Sequence, residues 1–408
     1  MELKINYQYT YFIYPFTLKN GKYEEYIKKM LEDKRFQFKV FKKEKDLKMY
    51  RYFLPKTRDL LFPTFKFSKE KMRDLEGMET TKKSKELSKL SCNIFEYNME
   101  KNIQGKVDFE KGIFFNISKV EVICFKTGES FLVIRTIIED DSKFSNILNF
   151  NYKFRNINQE VSKLNGYDNI RLQTSNFSDV ATFREFIKDI TDENIEKEEL
   201  DINTERFLTY SYVCIDQDAW NADTEFSSIN HQFIRYANVL PADNSRDLKE
   251  EDINIVSKWK YAKIGMTKQS VALFSSNIDI NNYTILPEEY QNQYFYTYVL
   301  NLYKKMYLKK IQTGFNDRNS VKIARKQFVD FTKKLWNQEI TEDQIGTTIN
   351  QKIVETIELE NIYENVKNKY DIVYKDENIE KNERNNIIII AVLIITFILN
   401  IINLFLLK

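Results

Sequence analysis

The chain has 408 residues, 42% apolar and 14% aromatic, enough for a sizeable core and for more than one domain. Its 62 Lys and Arg nearly balance 60 Asp and Glu, leaving a net charge of +2, so charge gives no argument for nucleic acid or for an acidic substrate. Three dispersed cysteines (Cys92, Cys124, Cys214) and one histidine (His231) argue against a disulfide framework, a Cys-x-x-Cys zinc site and catalysis by paired histidines. A reducing compartment fits the cysteines, and His231 reads as a satisfied structural residue.

From the N-terminus, Ile5, Tyr7, Tyr9, Tyr11 and Ile13 alternate as a first strand that is expected to end near Tyr14-Pro15-Phe16. No basic, apolar and small-residue sequence of a signal peptide precedes it. Tyr23–Lys34 has helical spacing, Tyr50–Leu54 reads as extended, and the charged stretch Lys66–Leu90 reads as a solvated helix turning at Gly77. Phe114–Ile117, Val120–Phe125 and Ser130–Ile138 are the clearest strands. The last two flank Lys126-Thr127-Gly128, a hairpin turn with glycine where positive φ is needed. Their near-continuous apolar runs suit strands covered on both faces. Glu139-Asp140-Asp141 follows, a carboxylate cluster with either divalent-cation chemistry or a plain acidic loop as its reading.

Phe150, Tyr152 and Phe154 share a face if extended and read as core packing rather than base stacking. Phe177–Ile190 and Ile195–Leu208 are expected as helices and Phe207–Ile215 as a strand; Trp220–Arg246 has no clear pattern. Ile255–Lys263 and Ser270–Phe274 complete the sheet. Intermingled helices and strands make residues 1–285 an α/β or α+β domain with a mixed sheet.

Residues 286–385 read as a helical stalk. Pro287-Glu288-Glu289 starts a helix carrying Tyr290, Tyr294, Tyr298, Leu302 and Met306, ending at Gly314. Val321, Ala324, Phe328, Phe331 and Leu335 form a coiled-coil-like seam. Thr341-Glu342-Asp343-Gln344 has capping-box form with Ile340 and Ile345 as staple, which places a helix start at Glu342. Ile349, Ile353, Ile357, Ile362, Val366, Tyr370 and Val373 then keep an apolar stripe. The stalk reads as one helix running to the C-terminus unless the charged stretch Lys375–Arg384 interrupts it.

Residues 386–408 hold a transmembrane helix. Ile387–Leu407 is 21 residues without charge, long enough to cross a hydrocarbon core of roughly 30 Å. Thr396, Asn400 and Asn403 interrupt it at i, i+4, i+7, on one helical face, and read either as a pore lining or as interhelical glue. Lys375, Lys381 and Arg384 before the helix, against Lys408 after it, place the N-terminal part in the cytoplasm of a single-pass cell-membrane protein.

Glu339-Ile340-Thr341, the isoleucine-spaced helix to Tyr370, Asn382 and Asn386 before the apolar run, and the element order with the Phe131–Ile134 strand together resemble the CorA-type divalent-cation (magnesium) transporter superfamily. The resemblance implies a cytoplasmic α/β domain, antiparallel helices, a long stalk helix into the membrane, and a homo-oligomer, a pentamer by analogy. It also implies Mg²⁺ or another divalent cation as ligand or substrate, with no other cofactor, and Thr396, Asn400 and Asn403 facing a pore. The chain departs from the family in lacking its Gly-Met-Asn triplet and in showing one membrane helix rather than two. Two functions follow: an ion channel or metal-ion transporter gated through the cytoplasmic domain, or a tail-anchored regulatory or antiviral-defence effector whose soluble domain binds a ligand or partner. No nucleophile–base pair, metal-ligand cluster or glycine-rich phosphate loop points to an enzyme.

Overall fold

The computed structural model describes residues 2–99, 103–107, 113–139, 143–156, 170–173, 180–191, 197–198, 206–316 and 319–406, with the backbone alone at 173, 180–182, 197–198, 376–381 and 400–406. The chain divides into two compact units, Met1–Tyr307 with Gln338–Leu359, and Leu308–Asn337 with Glu360–Lys408.

The first unit is built on a mixed sheet. Its strands are β1 (Ile5–Leu18), β2 (Phe36–Phe38), β3 (Cys92–Tyr97), β4 (Ile103–Val107), β5 (Ile113–Phe125), β6 (Glu129–Ile138), β7 (Ile170–Gln173), β8 (Val180–Thr182), β9 (Lys197–Glu198), β10 (Leu208–Ile215), β11 (Asn254–Trp259), β12 (Ala262–Thr267) and β13 (Ser270–Ser276). Their order is β11-β12-β13-β10-β1-β6-β5-β4-β7-β8, with β3 joining β5 to β2 and β9 on the end of β1. Among the described residues only β10 and β13 pair in parallel, Thr209 opposite Ser270 through Ile215 opposite Ser276. The remaining ladders are antiparallel.

Strand β1 is longer than its sequence suggests. It runs through Pro15, which pairs with Phe131 of β6, while the ladder to β10 ends at Ile13. Proline can sit in a central strand here because no β10 partner remains to receive an N–H. Gly128 closes the β5–β6 hairpin at φ +102°, the left-handed conformation that glycine adopts without a Cβ penalty.

Both sheet faces are covered, which explains the continuous apolar runs. On one face Phe12 packs on Phe150 and Phe154, at 5.9 and 4.2 Å between ring centroids, and Thr10 Oγ1 donates to Asn151 Oδ1 at 2.9 Å. The stretch 144–158 thus does not extend over its first eleven residues: Phe144–Phe154 is a helix whose 3- and 4-residue spacing buries Phe144, Ile147, Leu148, Phe150, Asn151 and Phe154. Core packing of Phe150 and Phe154 holds, by helical rather than strand geometry. Phe183–Thr191 and Asn230–Ala237 are also helices; the second occupies the stretch without a clear sequence pattern, and His231 on it is exposed rather than a structural core residue. Of the helix expected at Phe177–Ile190, Val180–Thr182 is instead strand; most of Ile195–Leu208 lies outside the described residues. Tyr50–Leu54, read as extended, falls largely in a helix, Leu47–Tyr52. Two short helices, Lys69–Glu76 and Thr80–Leu87, fill the charged Lys66–Leu90 stretch around Gly77.

On the other face lies a tyrosine layer. Tyr11 stacks on Phe295 at 4.9 Å, and Tyr210 on Tyr290 at 4.1 Å. The helix at Pro287 opens as Ile285–Glu289, passes through a π-helical turn at Tyr290–Tyr294 and continues as Phe295–Gly314. A π turn loosens the backbone ladder and leaves carbonyls available. Here Tyr210 donates its hydroxyl to the Tyr290 carbonyl at 2.6 Å and Tyr9 to that of Pro287 at 3.2 Å. The buried hydroxyls of Tyr210 and Tyr9 thereby find the partners that burial requires.

The helix at 342 begins later than its capping-box pattern suggests. Asp343 is the N-cap, its carboxylate accepting from Gly346 N–H at 2.6 Å, and the helix is Gln344–Thr356. Thr341 Oγ1 instead accepts from Asp343 N–H at 3.1 Å. An aspartate is the stronger competitor for the free N–H groups of a first turn. A Cβ on Gly346 would collide with the Tyr52 ring, so glycine is required by close packing there. The stalk is also interrupted. Glu358 has φ +56°, so the chain leaves the helix at Ile357 and restarts as Leu359–Leu406. The charged stretch Lys375–Arg384 lies inside that second, 48-residue helix and does not break it.

The second unit contains Val321–Phe331, a π turn at Thr332–Trp336 and the body of the long helix. Its seam is aromatic: Trp336 stacks on Tyr363 at 4.0 Å and 3°, and Phe328 lies 5.3 Å from Tyr370. Ala324, Phe328, Phe331 and Leu335 are buried, as their spacing predicts.

Candidate functional site

The long helix is the first candidate. At 1.5 Å per residue its 48 residues span roughly 70 Å. Asn382–Leu399, with a mean hydropathy of 1.6, is long and apolar enough to cross a membrane. The large apolar side chains from Ile387 to Leu399 are each 49–67% exposed. Leaving such a run in water forgoes on the order of 20 kcal/mol of burial. The run is exposed rather than buried, so by length, composition and exposure it is a candidate membrane span.

Thr396 donates its hydroxyl to the Val392 carbonyl at 2.8 Å, one turn back. It is therefore satisfied within its own helix and needs no neighbour. Asn400 and Asn403 lie on the same helix backbone, but their side chains are outside the described residues.

The second sequence candidate is only partly visible. Glu139 follows β6; its N–H donates to the Phe114 carbonyl at 3.0 Å and its carboxylate accepts a long 3.4 Å bond from Gln104. Asp140 and Asp141 lie outside the described residues. Among the described residues no group of three His, Cys, Asp or Glu side chains is placed to hold a metal ion. Cys92, Cys124 and Cys214 are buried free thiols, and burial raises the pKa of each.

Three charged features had no sequence signal. Glu121 on β5 is 1% exposed and held by Lys39 Nζ at 2.5 Å and Lys119 Nζ at 2.9 Å. Burial alone pushes its pKa up, but the Lys119 and Lys39 charges and their hydrogen bonds outweigh that and hold the carboxyl below its ordinary value of 4.5. Its second oxygen, Oε2, has no hydrogen-bond partner among the described residues, and neither has the buried hydroxyl of Tyr296. Burial and then the Glu121 charge raise that phenol's pKa, so the two groups are electrostatic neighbours. Lys304 is 6% exposed, and desolvation lowers its pKa from 10.5 to about 8. Arg35 is clasped by Asp33, with Nε to Oδ1 at 2.9 Å, and by Asp189; the Asp33 hydrogen bond leads the effects that hold its pKa up. A period-2 or period-3.6 pattern registers apolar faces, so isolated charges inside a strand such as Glu121 carry no mark of their partners.

Comparison with known proteins yields nothing similar: no family model, no curated protein and no solved structure matches the chain.

Proposed function

We propose that this chain is a single-pass cell-membrane protein, CorA-like in architecture, that assembles as a homo-oligomer around its C-terminal helix with the sheet unit in the cytoplasm. Copies of the helix surround a path for ions, and the cytoplasmic unit gates it. The observation that carries this reading is an exposed apolar helix whose only polar residues between Ile387 and Leu406 are Thr396, Asn400 and Asn403. Thr396 can satisfy itself through Val392, so the demand for a polar neighbour rests on the two carboxamides. A carboxamide has two donors and cannot satisfy both within one helix in hydrocarbon. Lys375, Lys381 and Arg384 before the helix support the cytoplasmic placement. The cation classes the resemblance suggests, Mg²⁺ and other divalent ions, are the first substrates to test.

The alternative is a tail-anchored regulatory or defence effector whose helix only localises it; the absent Gly-Met-Asn triplet favours it. Liposome reconstitution with a divalent-cation-sensitive dye separates the two. Channel function predicts flux that falls at least about tenfold in Asn400→Leu/Asn403→Leu, whose helix is more apolar and inserts at least as well. No flux from wild-type protein correctly inserted and oligomeric would leave the effector reading.

A further inference from the structure

We propose that the sheet unit carries a binding site for a small soluble oxyanion, of the phosphate-monoester or diphosphate class, in the cavity between β2 and the helices Lys69–Glu76 and Thr80–Leu87. The cavity is about 410 Å³ and is lined by Lys39, Lys42, Lys45 and Lys83 against only two carboxylates, Glu76 and Glu96. Its size falls in the range of small-molecule sites. Neither Lys42, Lys45 nor Lys83 makes an ion pair with any described residue. Lys39 stands at its inner side, bound to buried Glu121 at 2.5 Å and reaching Glu96 at 3.8 Å. That anchor fixes one cation in place and leaves Lys42, Lys45 and Lys83 facing only the two lining carboxylates.

Two other cavities among the described residues differ in this respect. The groove at Arg35 has its guanidinium matched by Asp33 and Asp189. The cavity near Glu358 carries four carboxylates against Arg246 and Lys268, and Lys268 already pairs with Glu358 at 2.7 Å. Only the β2 cavity, among these three, holds an excess of cations facing one space. Like charges so placed repel one another, and an oxyanion relieves that repulsion while accepting from several ammonium groups. Phe38, Val40, Met72 and Leu75 supply an apolar wall, so a ligand with an organic body beside its anionic group fits better than a bare ion.

The test uses full-length protein in detergent micelles, titrated calorimetrically with inorganic pyrophosphate at low salt. Saturable binding at one site per chain is expected, weakening as salt rises. The variant K42E/K45E/K83E should lose at least about tenfold in affinity. A charge-matched control, K322E/K326E/K333E, should lose less than about twofold. Absence of saturable binding, or equal losses in both variants, overturns the site. So does binding only to phosphatidylglycerol vesicles with none to pyrophosphate, which would make the lysines a membrane contact. Should the triple variant lose its circular-dichroism signature, Lys83→Met alone keeps the test: unchanged affinity in that variant argues against the cavity. None of these outcomes depends on whether the protein conducts ions.

Discussion

Two buried charges set expectations at the residue scale. Lys304 has a folded pKa of about 8 against an ordinary 10.5, so between those values the unfolded chain binds more protons and stability rises with pH. Below about pH 8 the charged amine is carried at a cost of up to about 3 kcal/mol. Lys304→Met is expected to raise the melting temperature at pH 7 and to flatten the rise in stability between pH 8 and 10; thermal melts across that range check it. Glu121 has the opposite sign. Its lowered pKa contributes stability that is present above pH 4.5 and lost as pH falls through the folded value. Glu121→Ala leaves Lys119 half-buried without its carboxylate and Lys39 with only the 3.8 Å pair to Glu96, and should cost about 3 kcal/mol at pH 7, measured by urea unfolding. The acid limb of the stability curve should shrink in the same variant.

At the scale of elements, the junction between Gln344–Thr356 and Leu359–Leu406 is the place where one helix becomes two. Ile357 and Leu359 are each 1% exposed, so burial on both sides holds the chain at the turn and forces Glu358 between them into left-handed backbone. Its ion pair with Lys268 is solvent-exposed, 62% and 50% for the two side chains, and contributes little. Glu358→Gly should therefore be neutral or stabilising within about 1 kcal/mol, whereas Glu358→Val should destabilise by about 1–2 kcal/mol because a β-branched residue resists positive φ. Denaturant melts of the two variants decide; equal destabilisation would mean that the salt bridge, not the backbone, matters. The isoleucine stripe was legible across this junction but the break was not. Periodicity counts apolar positions and is insensitive to a single residue of reversed φ when the stripe resumes in phase.

For the whole molecule, the exposed apolar helix makes solubility and assembly separable. Residues 1–385 expressed alone should be soluble and monodisperse, with assembly weaker than that of the full chain in mild detergent. Cross-linking or light scattering reads the difference, and a monomeric full-length protein would remove the oligomer from the proposed function. The sequence by itself determined the mixed α/β character of the first part, the β5–β6 hairpin, the buried Ala324, Phe328, Phe331 and Leu335 of the seam, and the C-terminal apolar helix. Each rests on local pattern: alternation, a glycine at a turn, three-and-four spacing, or an uninterrupted apolar run. The tertiary structure decided what depends on partners distant in the chain. It alone joined β10 to β13 in parallel, carried β1 through Pro15, and turned 144–154 into a helix against Phe12. It also brought Lys39, Lys119 and Glu121 together and gathered lysines from a strand end, the turn after it and one helix around one cavity. Sequence separation of up to 82 residues divides the members of the Glu121 cluster, and no local period can encode a meeting across that distance.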